Sequence, residues 1–314
     1  MADEGIDEQI FRELQEDGRT SFSDLARRLG VNRAVVTARF TELTESGGVR
    51  IAAAVQPRVL GFDTLARVAI ETSLPTAEVA LHVKKLDGCV FLSLVTGNAG
   101  IVAEFTLPSI TVLYERIDDI RRLSGVEGVD VQLYREVIRS PLISTEQLAP
   151  GTVIDQTDRE LIAILQEDGR TGFNALGDAV GLSANGARTR VMRLISSNVI
   201  RIGATRLRAG SLAVGLGVRT SGRSDEAVAF LSSQPGIEFA TTCIGGYDLL
   251  ATVVLETTAQ SLGLRDAVLR LPSVRAVDSW VHTAIIQERY ERTFETEILP
   301  LENRTKGVTN DRTD

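Results

Sequence analysis

The chain has 314 residues, 43% of them apolar and 24% charged, enough for several compact units each with its own core. It holds no run of about 18 uncharged apolar residues and does not open on a basic stretch followed by an apolar one, so neither a membrane span nor a secretory signal is expected and the cytoplasm is the default address. The two cysteines and two histidines are too few and too dispersed for a disulfide framework or a local zinc or iron ligand set, and no metal or cofactor is expected.

The formal net charge of −8 argues against a nucleic-acid partner only until it is resolved by segment. Ile6–Pro57 holds seven Arg against eight Asp or Glu, whereas Thr157–Arg208 holds eight Arg against five. The second of these windows is the better polyanion binder.

In chain order, Ile10, Phe11 and Leu14 mark an amphipathic helix that is expected to stop at Gly18 as a C-cap glycine. Ser21 and Asp24 have capping-box spacing before a short helix carrying Leu25 and Leu29. Gly30-Val31-Asn32 then reads as a tight turn whose Asn caps a third helix with Val36, Phe40 and Leu43 on its inner face. This is the pattern of a helix-turn-helix. Beyond it the periodicity changes to short β-rich runs: a strand near Thr64–Glu71, a helix capped by Thr76, strands Cys89–Val95 and Ile101–Leu107, a helix capped by Ser109, and a strand Val129–Ile138. The order β-α-β-β-α-β is that of a ferredoxin-like split unit, which leaves one sheet face free to pack on a partner.

The whole arrangement then recurs. The heptapeptide LQEDGRT at Leu14–Thr20 is repeated at Leu165–Thr171, inside a gapless match of Ile6–Ile51 onto Thr157–Ile202, 151 residues apart. The sheet regions realign 148 residues apart, Gly88 onto Gly236 and Asp130 onto Asp278, so three residues are lost between Ile202 and Ser211. The expected organisation is a helix-turn-helix at 1–51, a βαββαβ unit at 52–140, a linker at 141–156, a second helix-turn-helix at 157–202, a second βαββαβ unit at 203–298 and a loose tail at 299–314.

The order and repetition of Asp17-Gly18-Arg19 and Asp168-Gly169-Arg170, Gly30 and Gly181, Arg39 and Arg190, Leu43 and Leu194, with the turn Gly245-Gly246-Tyr247-Asp248, resemble the leucine-responsive regulator/AsnC (Lrp/AsnC) family of transcription factors. The resemblance covers nearly the whole chain. It implies an α+β fold of tandem winged-type, three-helix domains, each followed by a ferredoxin-like RAM domain. It also implies a non-enzymatic regulator of double-stranded DNA, modulated by an amino acid or related metabolite, whose sensor sheets dimerise. At least a homodimer of the tandem chain is expected, and pairing of the sheets within or between chains is left open.

In a helix-turn-helix the third helix enters the major groove and its exposed residues reach base edges. The candidate DNA-reading residues are Asn32, Arg33, Ala34, Thr37 and Thr41 in the first head, and Ser183, Asn185, Arg188, Thr189 and Arg193 in the second. Met192 shares that outward face. Arg33 and Arg188 suit bidentate contacts to guanine and Asn185 suits adenine, so the two heads carry unlike chemistry and an asymmetric pair of half-sites is expected. For Arg19, Arg170, Arg39 and Arg190 a structural ion pair competes with a DNA contact. The candidate effector site is Gly245, Gly246, Tyr247 and Asp248: two glycines let backbone amides approach a carboxylate, and the Asp suits an α-amino group. The aligned first-half turn, Gly97-Asn98-Ala99-Gly100, lacks both the aromatic and the acid. Trp280 and His282 lie two residues apart on one face of the last strand. Alternative readings are an enzyme of the sirohaem-decarboxylase kind, which that architecture also resembles, and a ligand-independent architectural DNA binder.

Overall fold

The computed structural model describes residues 5–46, 48–97, 99–140, 143, 148–206, 212–234 and 236–289. The expected tail at 299–314, most of the linker's first half and residue Asn98 of the first-half turn lie outside them.

The first head consists of α1 (Ile6–Glu16), α2 (Phe22–Leu29) and α3 (Arg33–Glu45). Ser21 Oγ accepts from the Asp24 amide and Asn32 Oδ1 from the Ala34 amide, so α2 and α3 start where their caps place them. Between them Gly30 takes φ 68°, a left-handed turn that glycine adopts without a Cβ penalty. Gly18 is not the C-cap of α1. Asp17, in extended conformation, ends that helix, and the glycine is needed for a different reason: a Cβ there would lie 2.8 Å from the Ile51 side chain and 3.1 Å from the Ile202 carbonyl oxygen.

Next come β1 (Val49–Val55), a single 3-10 turn at Pro57–Leu60, β2 (Thr64–Thr72), α4 (Thr76–Val83), β3 (Cys89–Val95), β4 (Ile101–Leu107), α5 (Ile110–Arg121) and β5 (Val126–Arg139). Ser109 caps α5 as expected, but Thr76 is the first residue of α4, which follows Pro75 without a side-chain cap. The second copy follows with α6 (Gln156–Glu167), α7 (Phe173–Val180), α8 (Ala184–Ser196), β6 (Ile200–Arg206), β7 (Leu212–Thr220), α9 (Asp225–Ser233), β8 (Ile237–Ile244), β9 (Leu249–Leu255), α10 (Thr258–Leu269) and β10 (Val274–Glu288).

The two halves pair within the chain. Strand β1 runs antiparallel to β6, with Ala52 opposite Gly203, forming a two-stranded ribbon between the heads. Ile10, Leu14, Leu25 and Val36 of one head and Leu161, Leu165, Val191 and Leu194 of the other meet across this ribbon in one continuous core. Burying each such side chain contributes about 1.5–3 kcal/mol, so the heads stabilise each other as one body.

The two βαββαβ units are joined edge to edge as well as facing each other. The eight strands close into a barrel in the order β10-β3-β4-β2-β5-β8-β9-β7. Each unit contributes its four strands in ferredoxin-like order, and the last strand of each pairs with the second strand of the other: β5 with β8, β10 with β3. Helices cover the outside, where Ala66, Val68 and Ile70 of β2 pack with Val79, Val83, Leu113 and Ile117. Period-two alternation therefore turns Arg67 into the barrel.

Candidate functional site

On α3, Val36 is fully buried, while Asn32, Arg33, Ala34, Thr37 and Thr41 are exposed. On α8, Ala187, Val191 and Leu194 are fully buried and Ser183, Asn185, Arg188, Thr189, Met192 and Arg193 are exposed. Asn32 and Ser183 spend their side-chain oxygens as helix caps, Ser183 Oγ accepting from the Gly186 amide. The hydroxyls of Thr37 and Thr189 donate to carbonyls one turn back, at Arg33 and Asn185. The exposed third-helix arginines fall into two groups. Arg33 and Arg188 project from the exposed face, the Arg188 guanidinium lying 5.9 Å from the Phe173 ring. Arg193 instead donates to the Asp158 carboxylate and to the Val153 carbonyl oxygen at 3.0 Å.

Arg39 and Arg190 are both structural anchors. Arg39 pairs with Asp7 and Glu42, and Arg190 with Asp155 at 2.7 Å and Asp158 at 3.0 Å. The Asp158 side chain is almost wholly buried and receives both Arg190 and Arg193 of α8. The Arg190 bond, with the Asp158 amide, holds the Asp155 carboxyl below its usual range.

The repeated Asp-Gly-Arg motif locks the heads together. Arg19 donates to the carbonyls of Gly169 (2.7 Å) and Thr171 (3.0 Å), and Arg170 donates to Gly18 (2.6 Å) and Thr20 (3.1 Å). Each guanidinium also lies over a phenylalanine, Arg19 on Phe173 and Arg170 on Phe22. The Gly18 and Gly169 amides donate to Ile202 and Ile51 at 2.9 Å, so both motifs are sewn to the ribbon of the other copy. Burial lowers the proton affinity of both guanidinium groups below the usual value, and for Arg170 the nearby Arg19 charge adds to it.

The turn between β8 and β9 is wedged against the other half. Gly245 takes φ 145°, and a Cβ there would lie 2.5 Å from the Val131 carbonyl oxygen on β5. Gly246 sits beside the Asp130 carboxylate. Asp248 accepts from the Thr220 amide at 2.7 Å and from its hydroxyl at 3.2 Å. Tyr247 donates its hydroxyl to Asp278 at 3.0 Å and lays its ring over Gly217, where any Cβ would strike it. Burial and the Asp278 bond raise the Tyr247 pKa.

Next to this turn lies a polar cluster whose centre, Arg67 with Gln132 and Asp130, the sequence reading did not single out. Arg67 is only 5% exposed; its Nη1 donates to Gln132 Oε1 at 2.6 Å and its guanidinium lies 4.2 Å from the Trp280 ring across the barrel. Gln132 in turn donates to Asp130. The Tyr134 hydroxyl donates to Glu104 at 2.9 Å, and burial drives its pKa well above the usual value. Trp280 Nε1 donates to His282 Nε2 at 3.2 Å. The one signal in the sequence was a lone arginine inside the apolar run from Leu65 to Ile70. Among the described residues no cluster of three or more metal-ligating side chains occurs, and no helix is long and apolar enough to cross a membrane.

Comparison with known proteins agrees with this architecture. The family model of the AsnC-type helix-turn-helix domain matches at residues 5–44 and again at 154–195, the two three-helix heads. An uncharacterized HTH-type transcriptional regulator of Pyrococcus furiosus is 31% identical over 140 residues, covering 44% of this chain and 94% of that protein. The HTH-type transcriptional regulator Ptr1 of Methanocaldococcus jannaschii is 32% identical over 131 residues, 41% of this chain and 88% of its own length. Among solved structures, the siroheme decarboxylase NirDL superposes with a TM-score of 0.62 over 92% of this chain and 94% of its own, at 17% identity, a likeness of fold alone. The chain belongs to the family of AsnC-type helix-turn-helix transcriptional regulators, and it carries the family's DNA-binding module twice.

Proposed function

We propose that one chain reads two half-sites of unlike sequence, and that an amino-acid-like effector bound between the sensor units biases its affinity or assembly. The observation that supports this most is the coupling of the heads: two exposed third helices share one core, and reciprocal Arg19 and Arg170 bonds fix their relation. A rigid pair presents both helices to one duplex without the ordering cost of bringing two free heads together. Arg33 and Arg188 serve as base readers, Asn185 as an adenine reader in the second head, and Asn32, Ala34, Thr37, Thr41, Ser183 and Thr189 as the surrounding contact face. Arg193, shared between Asp158 and Val153, holds the start of α6 and its approach more than it reads bases.

The effector reading rests on the Gly245-Gly246-Tyr247-Asp248 turn and its seat against β5 of the other half. A ligand there changes how one sensor unit packs on the other, and regulation requires only that it bind one arrangement better. Exposed Leu81 and Tyr114 on the outer helices of the first sensor, and Leu262 on the second, support assembly of at least two chains.

Selection of bound sites from random duplex, followed by footprinting, tests the DNA reading. The expected result is two adjacent protected major grooves of different sequence, with Arg33→Ala relaxing one and Arg188→Ala the other. Equal relaxation of both half-sites by either substitution, or indifference to duplex at low salt, would remove it.

A further inference from the structure

Inside the barrel the two copies differ at facing positions. At a spacing of 148 residues, Arg67 corresponds to Gly215 and Gln132 to Trp280. In the first half these positions form an Arg–Gln pair on adjacent strands, in direct register between β2 and β5. In the second half they form a Gly–Trp pair in register between β7 and β10, and the indole fills the space above Gly215 so closely that a Cβ would lie 2.0 Å from it. The two pairs then meet, guanidinium on indole. Divergence has converted a site that would otherwise occur twice, related by the pseudo-twofold axis, into one composite and asymmetric site.

That site carries a buried charge with no direct ion pair, favoured only at longer range by Glu104 and Asp130. Among the described residues no carboxylate stands within ion-pair distance of Arg67, and its buried Nε has no hydrogen-bond acceptor. Asp130 is engaged by Gln132, and Glu104 by Tyr134. A buried guanidinium with one neutral acceptor is costly and calls for an anion. Besides the polar Gln132, Asp130, Tyr134 and Glu104, two flat faces border it: Trp280 below, and the Tyr247 ring 6.3 Å from the indole. Gln132 also touches the space over Gly246, which links the buried charge to the β8–β9 turn.

We infer that Arg67 is the receptor for the carboxylate of a small ligand with an apolar body, held inside the barrel between the two sensor units against Trp280. This rests on the effector reading above and assigns its anionic end to Arg67, with the glycine turn serving as a wall. Arg67 is a binding residue in this scheme, and the neutral Gln132 orients it by holding Nη1 while leaving Nε to the ligand.

Trp280 is the single tryptophan of the chain, so its emission reports directly on the site. The full-length protein is titrated with sodium 3-methylbutanoate and sodium benzoate, and with chloride at matched ionic strength, reading tryptophan emission and thermal midpoint together. The expected result is a saturable change in both readouts with carboxylate over chloride. Arg67→Met should abolish it while raising the midpoint of the ligand-free protein, because an unpaired buried charge is removed. Arg67→Lys, which keeps the charge but not the fork, should weaken binding by roughly tenfold to a hundredfold, the loss of one charge-assisted bond. Arg223→Met, at an exposed arginine outside the barrel, should leave the carboxylate response within a few-fold of wild type.

Carboxylate binding that survives both Arg67 substitutions and is lost in Gly246→Ala would overturn the assignment and leave the turn as the effector site. No carboxylate-specific response in the wild type would overturn it too. A lower midpoint in Arg67→Met, with the carboxylate response unchanged in Arg67→Lys, would make Arg67 a packing residue and sink the inference. All these results are independent of duplex binding, so the reading of the heads stands or falls separately.

Discussion

Arg19 and Arg170 are reciprocal: each guanidinium donates to the carbonyl of the glycine that precedes the other, at 2.7 Å to Gly169 and 2.6 Å to Gly18. These are charge-assisted bonds between half-buried partners at the junction of the heads. Arg19→Ala or Arg170→Ala is expected to destabilise the head pair by about 2–3 kcal/mol. The double substitution should cost less than the sum, since either alone already loosens the shared contact. Urea unfolding followed by circular dichroism measures this; additive losses would show that the two motifs act independently.

Gly169 has no room for a methyl group, because a Cβ would meet the Ile202 side chain at 2.7 Å and the Ala52 amide nitrogen at 3.2 Å. Gly169→Ala should therefore cost about 1–3 kcal/mol through displacement of β1. Gly181→Ala, at a left-handed position with open space around it, should cost about 1 kcal/mol from backbone strain alone. Thermal midpoints of the two variants compare the mechanisms, and a harmless Gly169→Ala would mean the ribbon yields freely.

Two arginines on α8 should separate cleanly in experiment. Arg193→Ala is expected to lower stability by about 1 kcal/mol, since its bonds to Asp158 and Val153 are partly exposed, and to leave half-site discrimination intact. Arg188→Ala should leave stability within about 0.5 kcal/mol and weaken discrimination at one base by about 1–3 kcal/mol. Binding isotherms on single-base variants of a selected site, set beside unfolding curves, read both quantities.

Acid should remove one support of the joined heads, at the start of α6. The Asp155 carboxyl there is held below the usual range by Arg190, so the folded state binds a proton less readily than the unfolded chain. The contribution is fully present above the ordinary carboxylate range and disappears as pH falls through the lowered folded value. Asp155→Asn should flatten the pH dependence of unfolding in that window and leave the neutral-pH curve nearly parallel to wild type. An unchanged acid limb would show that Arg190 draws its support from Asp158 alone.

Fold likeness to a siroheme decarboxylase invites a spectral check. Trp280 Nε1 already occupies His282 Nε2, the ring nitrogen turned toward the indole. Titration with iron-uroporphyrin is expected to give no saturable shift of the tetrapyrrole absorption, and no loss of carbon dioxide from it. A stoichiometric shift abolished by His282→Ala would place an enzyme on these sheets.

Much of the fold was legible because it rests on local signals. Caps at Ser21, Asn32 and Ser109, the left-handed turn at Gly30 and the inward positions Val36 and Leu194 are all set by residues within a turn of one another. The repeat made the second copy readable from the first. What the sequence concealed is what depends on contacts between elements tens to hundreds of residues apart. Gly18 reads as a helix terminator, and only its approach to Ile51 and Ile202 reveals a packing role. The Asp-Gly-Arg arginines look alike in either a DNA contact or a clasp until the partner carbonyls are seen. Arg67 stands in an apolar strand with nothing nearby in sequence to explain it, because its neighbours Gln132 and Trp280 arrive from strands 65 and 213 residues later.

The crossed strand exchange sets a condition on dissection of this protein. A fragment ending before α6 would carry β3 and β5 as two bare sheet borders, each a template for another chain. Such a fragment would regain a closed barrel only by finding a second copy of itself, with Arg67 facing Gln132 twice and Trp280 nowhere. Fusing the repeats thus does more than tether them: it makes the lone half an incomplete object whose self-assembly necessarily builds a different interior.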